Sequence, residues 1–281
     1  MNYRHSYHAG NFADVVKHAL QLICLDYLQQ KEKPFFVLDT HAGIGMYDLQ
    51  GEQAQKTGEW EQGIGRLLQA ENRPACLETY CSLVRSLNPG DNLRWYPGSP
   101  WLSQQFLRDH DQLGLCELHP DDAEELADNF AGDKRVKVYR EENGYIALKA
   151  LLPPPQKRGL VLIDPPFETT TEFNDIVTGL KHALKRWNTG SYVIWYPIKD
   201  PMVTGGFQQM IRELDPPKAY AVDLLIRHAE DATKLNGCGM LFINPPFGLL
   251  EPLEELMPFL TELLAQGEGA SWQGRWVVAE S

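Results

Sequence analysis

Leu160-Val161-Leu162-Ile163-Asp164-Pro165-Pro166-Phe167 is the stretch from which the rest of the chain can be read. Four aliphatic residues in a row have the pattern of a short strand buried on both faces, as in a parallel sheet. Proline has no N–H and cannot continue a central strand, so the chain is expected to leave the sheet at Asp164. In open α/β sheets, ligands bind just outside the carboxyl ends of the strands. Asp164 and Phe167 are expected there, an acceptor beside a flat apolar ring on a stiffened loop. A planar base carrying an amino group fits between them.

Towards the N-terminus, a short apolar run over 35–38 precedes Asp39-Thr40-His41-Ala42-Gly43-Ile44-Gly45. A strand, an acid and close glycines describe the first βα turn of a nucleotide-type fold, where glycine admits a ligand against the backbone. The turn is not GxGxxG. His41 stands where the first glycine would be and the third is missing, which disfavours a nicotinamide dinucleotide and leaves room for another adenosine-containing ligand. The next strand, over 112–117, lies well beyond the roughly 30 residues of an ordinary βαβ unit. Between them Trp60, Leu67, Leu68, Leu77, Tyr80, Val84 and Leu87 recur at helical spacing. The expectation is a Rossmann-like domain of residues 1–50 and 96–281, with an inserted helical subdomain at 51–95.

The remaining signals fit that frame. Asn11 is expected to cap a helix over 12–30 that places Lys17 and His18 side by side. Ser99-Pro100 reads as the start of a helix running to about residue 110, with Ser99 as cap, ligand contact or both. Glu117 ends the second strand, and a carboxylate there can accept from both hydroxyls of a ribose. After a third strand over 136–139, Asn143-Gly144 forms a turn that can set a side-chain amide against an adenine edge. Helices over 173–187, 202–214 and 253–266 alternate with strands over 192–196, 219–226 and 240–243. That order predicts an α/β fold with helices on both faces of a mostly parallel sheet.

Met240-Leu241-Phe242-Ile243-Asn244-Pro245-Pro246-Phe247 nearly repeats the opening stretch. Its strand follows a connection too short for a crossover helix, so it should run antiparallel and end on the opposite edge. Asn244 to Phe247 is therefore expected to be structural.

With 281 residues, 43% of them hydrophobic, the chain can form one large domain with an insertion. No run approaches the roughly 18–20 apolar residues of a membrane span, and the N-terminus lacks a hydrophobic signal region, so a cytoplasmic location is expected. Cys24, Cys76, Cys81, Cys116 and Cys238 are scattered, which fits core thiols rather than disulfides or a zinc site. His5 and His8 lack completing ligands, and no metal is expected. A net charge of −12 disfavours a broad nucleic-acid surface. Basic residues do cluster at Lys134, Arg135, Lys137 and Arg140, and at Lys181, Lys185 and Arg186, so a short RNA footprint is expected near them, the insertion and the N-terminal segment.

The segments NYRHSYHAGNFADVVKH, LDTHAGIG, YPGSP, ELHP and LVLIDPPF, in this order, resemble the RlmJ family of 23S rRNA adenine-N6 methyltransferases, over nearly the whole chain. The resemblance implies a class I methyltransferase sheet with an antiparallel last strand, S-adenosyl-L-methionine as cofactor, and 23S rRNA as partner, protein-free or in an early assembly intermediate. It implies that His18, His41, Ser99, Glu117, Asn143, Gly144 and Asp164 contact the cofactor, and that Tyr3 meets the RNA. Asp164, Pro165 and Phe167 would hold the flipped adenine, with Lys17 beside them. Asn143 stands where the family carries Asp; its amide oxygen is expected to accept from the cofactor's adenine N6. Rival readings are the same fold acting on guanine N2 or on adenine or cytosine of DNA, a catalytically silent cofactor- or RNA-binding module, and a nicotinamide oxidoreductase.

Overall fold

The computed structural model describes residues 4–90 and 92–279. In chain order the elements are α1 (Phe12–Gln29), β1 (Phe36–Asp39), β2 (Met46–Asp48), α2 (Glu52–Thr57), α3 (Ile64–Gln69), α4 (Glu78–Ser86), β3 (Trp95–Pro97), α5 (Ser99–Gln105), β4 (Gln112–Glu117), α6 (Pro120–Asn129), β5 (Val136–Arg140), α7 (Gly144–Ala150), β6 (Gly159–Ile163), α8 (Glu172–Arg186), β7 (Ser191–Ile198), α9 (Pro201–Glu213), β8 (Ala219–Leu225), β9 (Gly237–Ile243), α10 (Leu250–Leu264) and β10 (Ser271–Val278).

Eight strands form one sheet in the order β10-β8-β9-β7-β6-β1-β4-β5. The ladders from β5 through β4, β1 and β6 to β7 are all parallel. β9 pairs antiparallel with β7 and β8, and β10 antiparallel with β8. β1 pairs with β4 on one side and β6 on the other, so the strand order reverses there and a crevice opens at the carboxyl ends, the usual ligand position of such sheets. Asp39 and Asp164 end these two neighbouring strands: Asp39 is in register with Leu162, two residues before Asp164.

The sheet separates two apolar cores. On one side α1, α5, α6 and α10 bury Val15, Leu20, Leu102, Leu126 and Leu256; on the other α7, α8 and α9 bury Leu148, Ile176, Leu180 and Phe207. β6 is buried throughout, as a continuous aliphatic run requires when helices cover both faces.

Three local expectations change. Ser99 does not cap α5; Gly98 holds that position and Ser99 is the first helical residue. The helix stops at Gln105 rather than near residue 110. β10, and the β2–β3 ladder, are additional strands. β10 is an edge strand exposed or half-buried along most of its length, so it lacks the apolar run by which buried strands are recognised. The ladder of β2 and β3 closes the neck of the segment that carries α2, α3 and α4. Of these, α3 and α4 pack on α1 and share its core through Ile64, Leu67, Tyr80 and Val84.

The two proline loops differ in place and conformation. β9 runs against β7, so Asn244 lies at the edge of the sheet opposite Asp164. Asn244 adopts a left-handed φ of 51°, and its Nδ2 donates to the carbonyls of Asn188 and Gly190, 2.7 Å each. That amide pins the α8–β7 connection. In the first loop it is Phe167 that takes the positive φ, 50°, strain that the surrounding structure must hold in place.

Candidate active site

A cavity of about 940 Å³ opens at the carboxyl ends of β1, β4, β6 and β7. Its centre is an ion pair: Lys17 Nζ lies 2.6 Å from Asp164 Oδ2 and 2.7 Å from Asp14 Oδ1. Asp14 sits one turn before Lys17 on α1, so helical geometry brings the two together. The other oxygen of Asp14 meets His5 Nε2 and accepts from the Gly10 amide, both at 2.9 Å. Burial works against the charges of Lys17 and Asp14. Even so, the two carboxylates hold the ammonium well above its usual pKa, while His5 and Lys17 hold the Asp14 carboxyl well below its own. Among the described residues Asp164 Oδ1 has no hydrogen-bond partner, and Asp164 lines the cavity.

Beside this lies a cradle with mixed donors and acceptors. Glu117 Oε2 accepts from the Gly43 amide and Oε1 from the His119 amide, both at 2.8 Å. Those bonds fix the carboxylate and leave each oxygen further acceptor capacity. Gly43 has a φ of +60°, and a Cβ there would lie 2.3 Å from the Tyr47 hydroxyl. Gly144 packs so closely on β1 that a Cβ would fall 2.2 Å from the Thr40 carbonyl. Burial lowers His41 to a pKa of about 4 and raises Asp39 to about 7, so His41 is neutral near pH 7. His18, on α1, is 1% exposed; its Nδ1 is 2.7 Å from the Tyr96 hydroxyl, while its Nε2 is buried without a partner among the described residues.

His18, His41, Ser99, Glu117, Asn143, Gly144, Lys17, Asp164, Pro165 and Phe167 all line the cavity, whereas Tyr3 lies outside the described residues. Two of these residues also make bonds within the protein that were not expected from sequence. The Ser99 hydroxyl donates to Asp39 Oδ2 at 2.6 Å and so braces a strand-end acid. Asn143 caps α7: its Oδ1 accepts from the amides of Tyr145 and Ile146 at 2.9 and 3.3 Å. Both lone pairs of that oxygen are thereby spent. A bond from an adenine amino group to this oxygen, as expected from sequence, would have to compete with those two backbone amides.

The Phe167 ring packs against Phe173 and, edge-on, against Trp195, with centroids 4.9 and 5.7 Å apart. Trp195, Pro197 and Lys199 line the same cavity from β7 and the residue after it. β7 is in register with the end of β6 at Ile194 and continues for four residues beyond it, so alternate side chains on one face run on past Asp164. Asp14 and Trp195 were not singled out from sequence, and Asp39 and Tyr96 entered only as parts of the glycine turn and of the YPGSP segment, without a role in the site. Asp14 at helical spacing from Lys17 was an available signal; Trp195 had none.

The N-terminal segment covers one rim. Arg4 forms ion pairs with Asp121 and Asp122 at the start of α6, and His8 lies 3.0 Å from Glu59 in the inserted segment. The basic clusters, near which an RNA footprint was expected, do not line the cavity. Lys185 lies near the carboxyl end of α8, which returns to the start of β7, and lines a separate depression with Lys181, Asn188, Pro216 and Pro217. Arg135 is bound to Asp133 and to the Leu107 carbonyl. The reason is topological: a helix that follows a strand carries its last turn back to the opposite edge.

Among the described residues no helix is long and apolar enough to cross a membrane, and no group of three or more His, Cys, Asp or Glu side chains is placed to hold a metal ion. S-adenosylmethionine fits the cradle. Glu117 offers acceptors for hydroxyls, the glycines leave room along the backbone, and the unpartnered His18 Nε2 awaits a polar group.

Comparison with known proteins identifies the family. Residues 32–278 match the family model described as "Ribosomal RNA large subunit methyltransferase D, RlmJ". Two proteins named ribosomal RNA large subunit methyltransferase J, from Escherichia coli K12 and Haemophilus influenzae Rd, are each 40% identical over 100% of both chains. The crystal structure of protein LPL1258 from Legionella pneumophila superposes with a TM-score of 0.88 at 36% identity, covering 95% of this chain and 98% of that one. The chain belongs to the RlmJ family of ribosomal RNA large subunit methyltransferases.

Proposed function

We propose that this protein methylates the exocyclic N6 amino group of an adenine in 23S rRNA, with S-adenosylmethionine as methyl donor. The observation that carries the reading is the Asp164-Pro165-Pro166-Phe167 loop, at the carboxyl end of β6, opening into the same cavity as the Glu117 and His18 cradle.

The N6 lone pair of adenine is delocalised into the ring and is a weak nucleophile. Asp164 Oδ1 and the Pro165 carbonyl supply two acceptors for the two amino hydrogens, and bonds to both favour a pyramidal nitrogen. Lys17, tied to Asp14 and to Asp164 Oδ2, fixes which carboxylate oxygen is offered. Phe167, braced by Trp195 and Phe173, presents an aromatic surface for the base. Stacking of this kind contributes about 1–3 kcal/mol, enough to offset much of the few kcal/mol lost when a base leaves its stack. The bound cofactor supplies a sulfonium methyl group: the N6–C bond forms, the S–C bond breaks, S-adenosylhomocysteine leaves, and the amino proton passes to Asp164 or water. The protein's contribution is chiefly positioning.

The test is transfer of a labelled methyl group to protein-free 23S rRNA, with the modified nucleoside mapped by digestion and mass spectrometry. N6-methyladenosine is expected. Label in N2-methylguanosine, or in DNA but not rRNA, would overturn the choice of target. In the same assay Asp164→Ala should abolish transfer while S-adenosylmethionine still binds by calorimetry; turnover within tenfold of wild type would refute the role given to Asp164.

A further inference from the structure

Two tyrosines outside the sheet reach the cofactor cradle through His18. Tyr80 stands on α4, in the inserted segment, and Tyr96 on β3, in its neck. Both are fully buried. Their hydroxyls are 2.6 Å apart, and the Tyr96 hydroxyl is 2.7 Å from His18 Nδ1. Neither phenol has another hydrogen-bond partner among the described residues. The chain of groups is Tyr80–Tyr96–His18, and it ends at Nε2, which is bonded to nothing described, on a residue that lines the cavity.

Each phenol has one proton, and so has a neutral imidazole, so three arrangements keep both hydrogen bonds, and each leaves one buried donor over. In two of them His18 Nδ1–H donates to Tyr96, and the proton left over is that of Tyr80 or Tyr96, in the core, away from any ligand. In the third, Tyr80 donates to Tyr96 and Tyr96 donates to His18 Nδ1, and the donor left over is Nε2–H, on a residue that lines the cavity. An unsatisfied buried donor carries a substantial penalty, and only in the third arrangement can a bound ligand remove it. That arrangement puts the imidazole proton on Nε2. Burial, with Lys17 adjacent, keeps His18 well below its usual pKa, in line with a neutral ring whose tautomer matters.

We infer that Tyr80 and Tyr96 are positioning residues that hold His18 in its Nε2–H tautomer, and that this N–H receives the carboxylate of the cofactor's methionyl group. The inference rests on S-adenosylmethionine being the cofactor. The chemistry selects the end that is recognised: the methionyl ammonium has only donors and cannot meet an N–H, whereas the carboxylate has only acceptors. Glu117, an acceptor, suits the ribose hydroxyls and not a carboxylate. The inserted segment thereby contributes to the cofactor site through Tyr80, without touching the ligand.

The experiment has two arms on the full-length chain. In the first, ¹⁵N shifts of the His18 ring are recorded by NMR without ligand, in wild type, Tyr96→Phe and Tyr80→Phe. A single Nε2–H tautomer is expected in wild type and in Tyr80→Phe, where Tyr96 still donates to Nδ1, and a mixture in Tyr96→Phe. An Nδ1–H tautomer in wild type overturns the inference. In the second, calorimetry compares S-adenosylmethionine with decarboxylated S-adenosylmethionine, which keeps the ammonium and lacks the carboxylate. His18→Ala should weaken the former roughly ten- to hundredfold, as expected for loss of a bond to a charged group, and leave the latter within about twofold. Tyr96→Phe should weaken the former roughly three- to tenfold through the fraction of competent tautomer. Equal losses for both ligands overturn the inference. Wild type that binds neither ligand defeats the cofactor assignment itself, a failure distinct from a wrong tautomer.

Discussion

Lys17 Nζ bridges Asp164 Oδ2 at 2.6 Å and Asp14 Oδ1 at 2.7 Å, and it joins the first helix of the chain to the loop after the fourth parallel strand in sequence order. The bridge is buried on its Lys17 and Asp14 sides. Removing one member therefore leaves a charge in the interior without compensation. Lys17→Met should cost about 3–5 kcal/mol of stability, measured by urea unfolding. The double variant Lys17→Met/Asp14→Asn should cost less than the two single changes added together, by about 1 kcal/mol or more. Strict additivity would show that the bridge is energetically idle.

Phe167 holds a left-handed φ and rests on Trp195 and Phe173. Phe167→Ala should reduce affinity for an RNA hairpin containing the target adenine by about 1–3 kcal/mol, while the Kd for S-adenosylhomocysteine stays within about twofold. Equal losses for both ligands would show a general collapse of the loop.

Asp39 and His41 make the stability of the cavity floor depend on pH in opposite senses. Burial raises Asp39 from 3.8 to about 7. The fold therefore holds that proton more tightly than the unfolded chain does, and the associated stability is lost as pH rises from about 4 through about 7. Burial lowers His41 from 6.5 to about 4, so its contribution is present above 6.5 and lost as pH falls towards 4. Asp39→Asn should gain stability relative to wild type between pH 4 and pH 8, on the order of a few kcal/mol. His41→Gln should gain relative to wild type between pH 7 and pH 4. Unfolding curves at these pH values check both; a pH-independent difference for either variant contradicts its assignment.

Lys181 and Lys185 line a depression apart from the active-site cavity. Reversing both to Glu should leave rRNA methylation within about twofold and the salt dependence of RNA binding unchanged. Lys199 lines the cavity itself, and Lys199→Glu should lower the salt slope by about one, as expected for one lost phosphate contact. A large effect at Lys185 would place the RNA on the other face.

Much of the fold was legible in the chain because it rests on local signals. The aliphatic run of β6 followed by two prolines, the strand-end acids Asp39, Glu117 and Asp164, and the cap at Asn11 each depend on a few neighbouring residues. Their order alone specified an α/β sheet with its ligand edge. β10 was not legible, since an edge strand with one wet face lacks a continuous apolar run.

What only the tertiary structure decided concerns pairs far apart in sequence. Lys17 and Asp164 are separated by 147 residues, His18 and Tyr96 by 78, and Asp39 and Ser99 by 60. No spacing rule reports such contacts, because they arise from how strands register and helices cross. The same holds for Asn143, whose residue type suggested an acceptor and whose place at the start of α7 engages that oxygen with two backbone amides. The sequence by itself determined that a strand ends in Asp-Pro-Pro-Phe and that another ends in Asn-Pro-Pro-Phe. The short connection before the second already pointed to an antiparallel strand; the hydrogen-bonded ladders across the sheet add the register that brings Asp164 to Lys17 at the cavity and leaves Asn244 at the opposite edge.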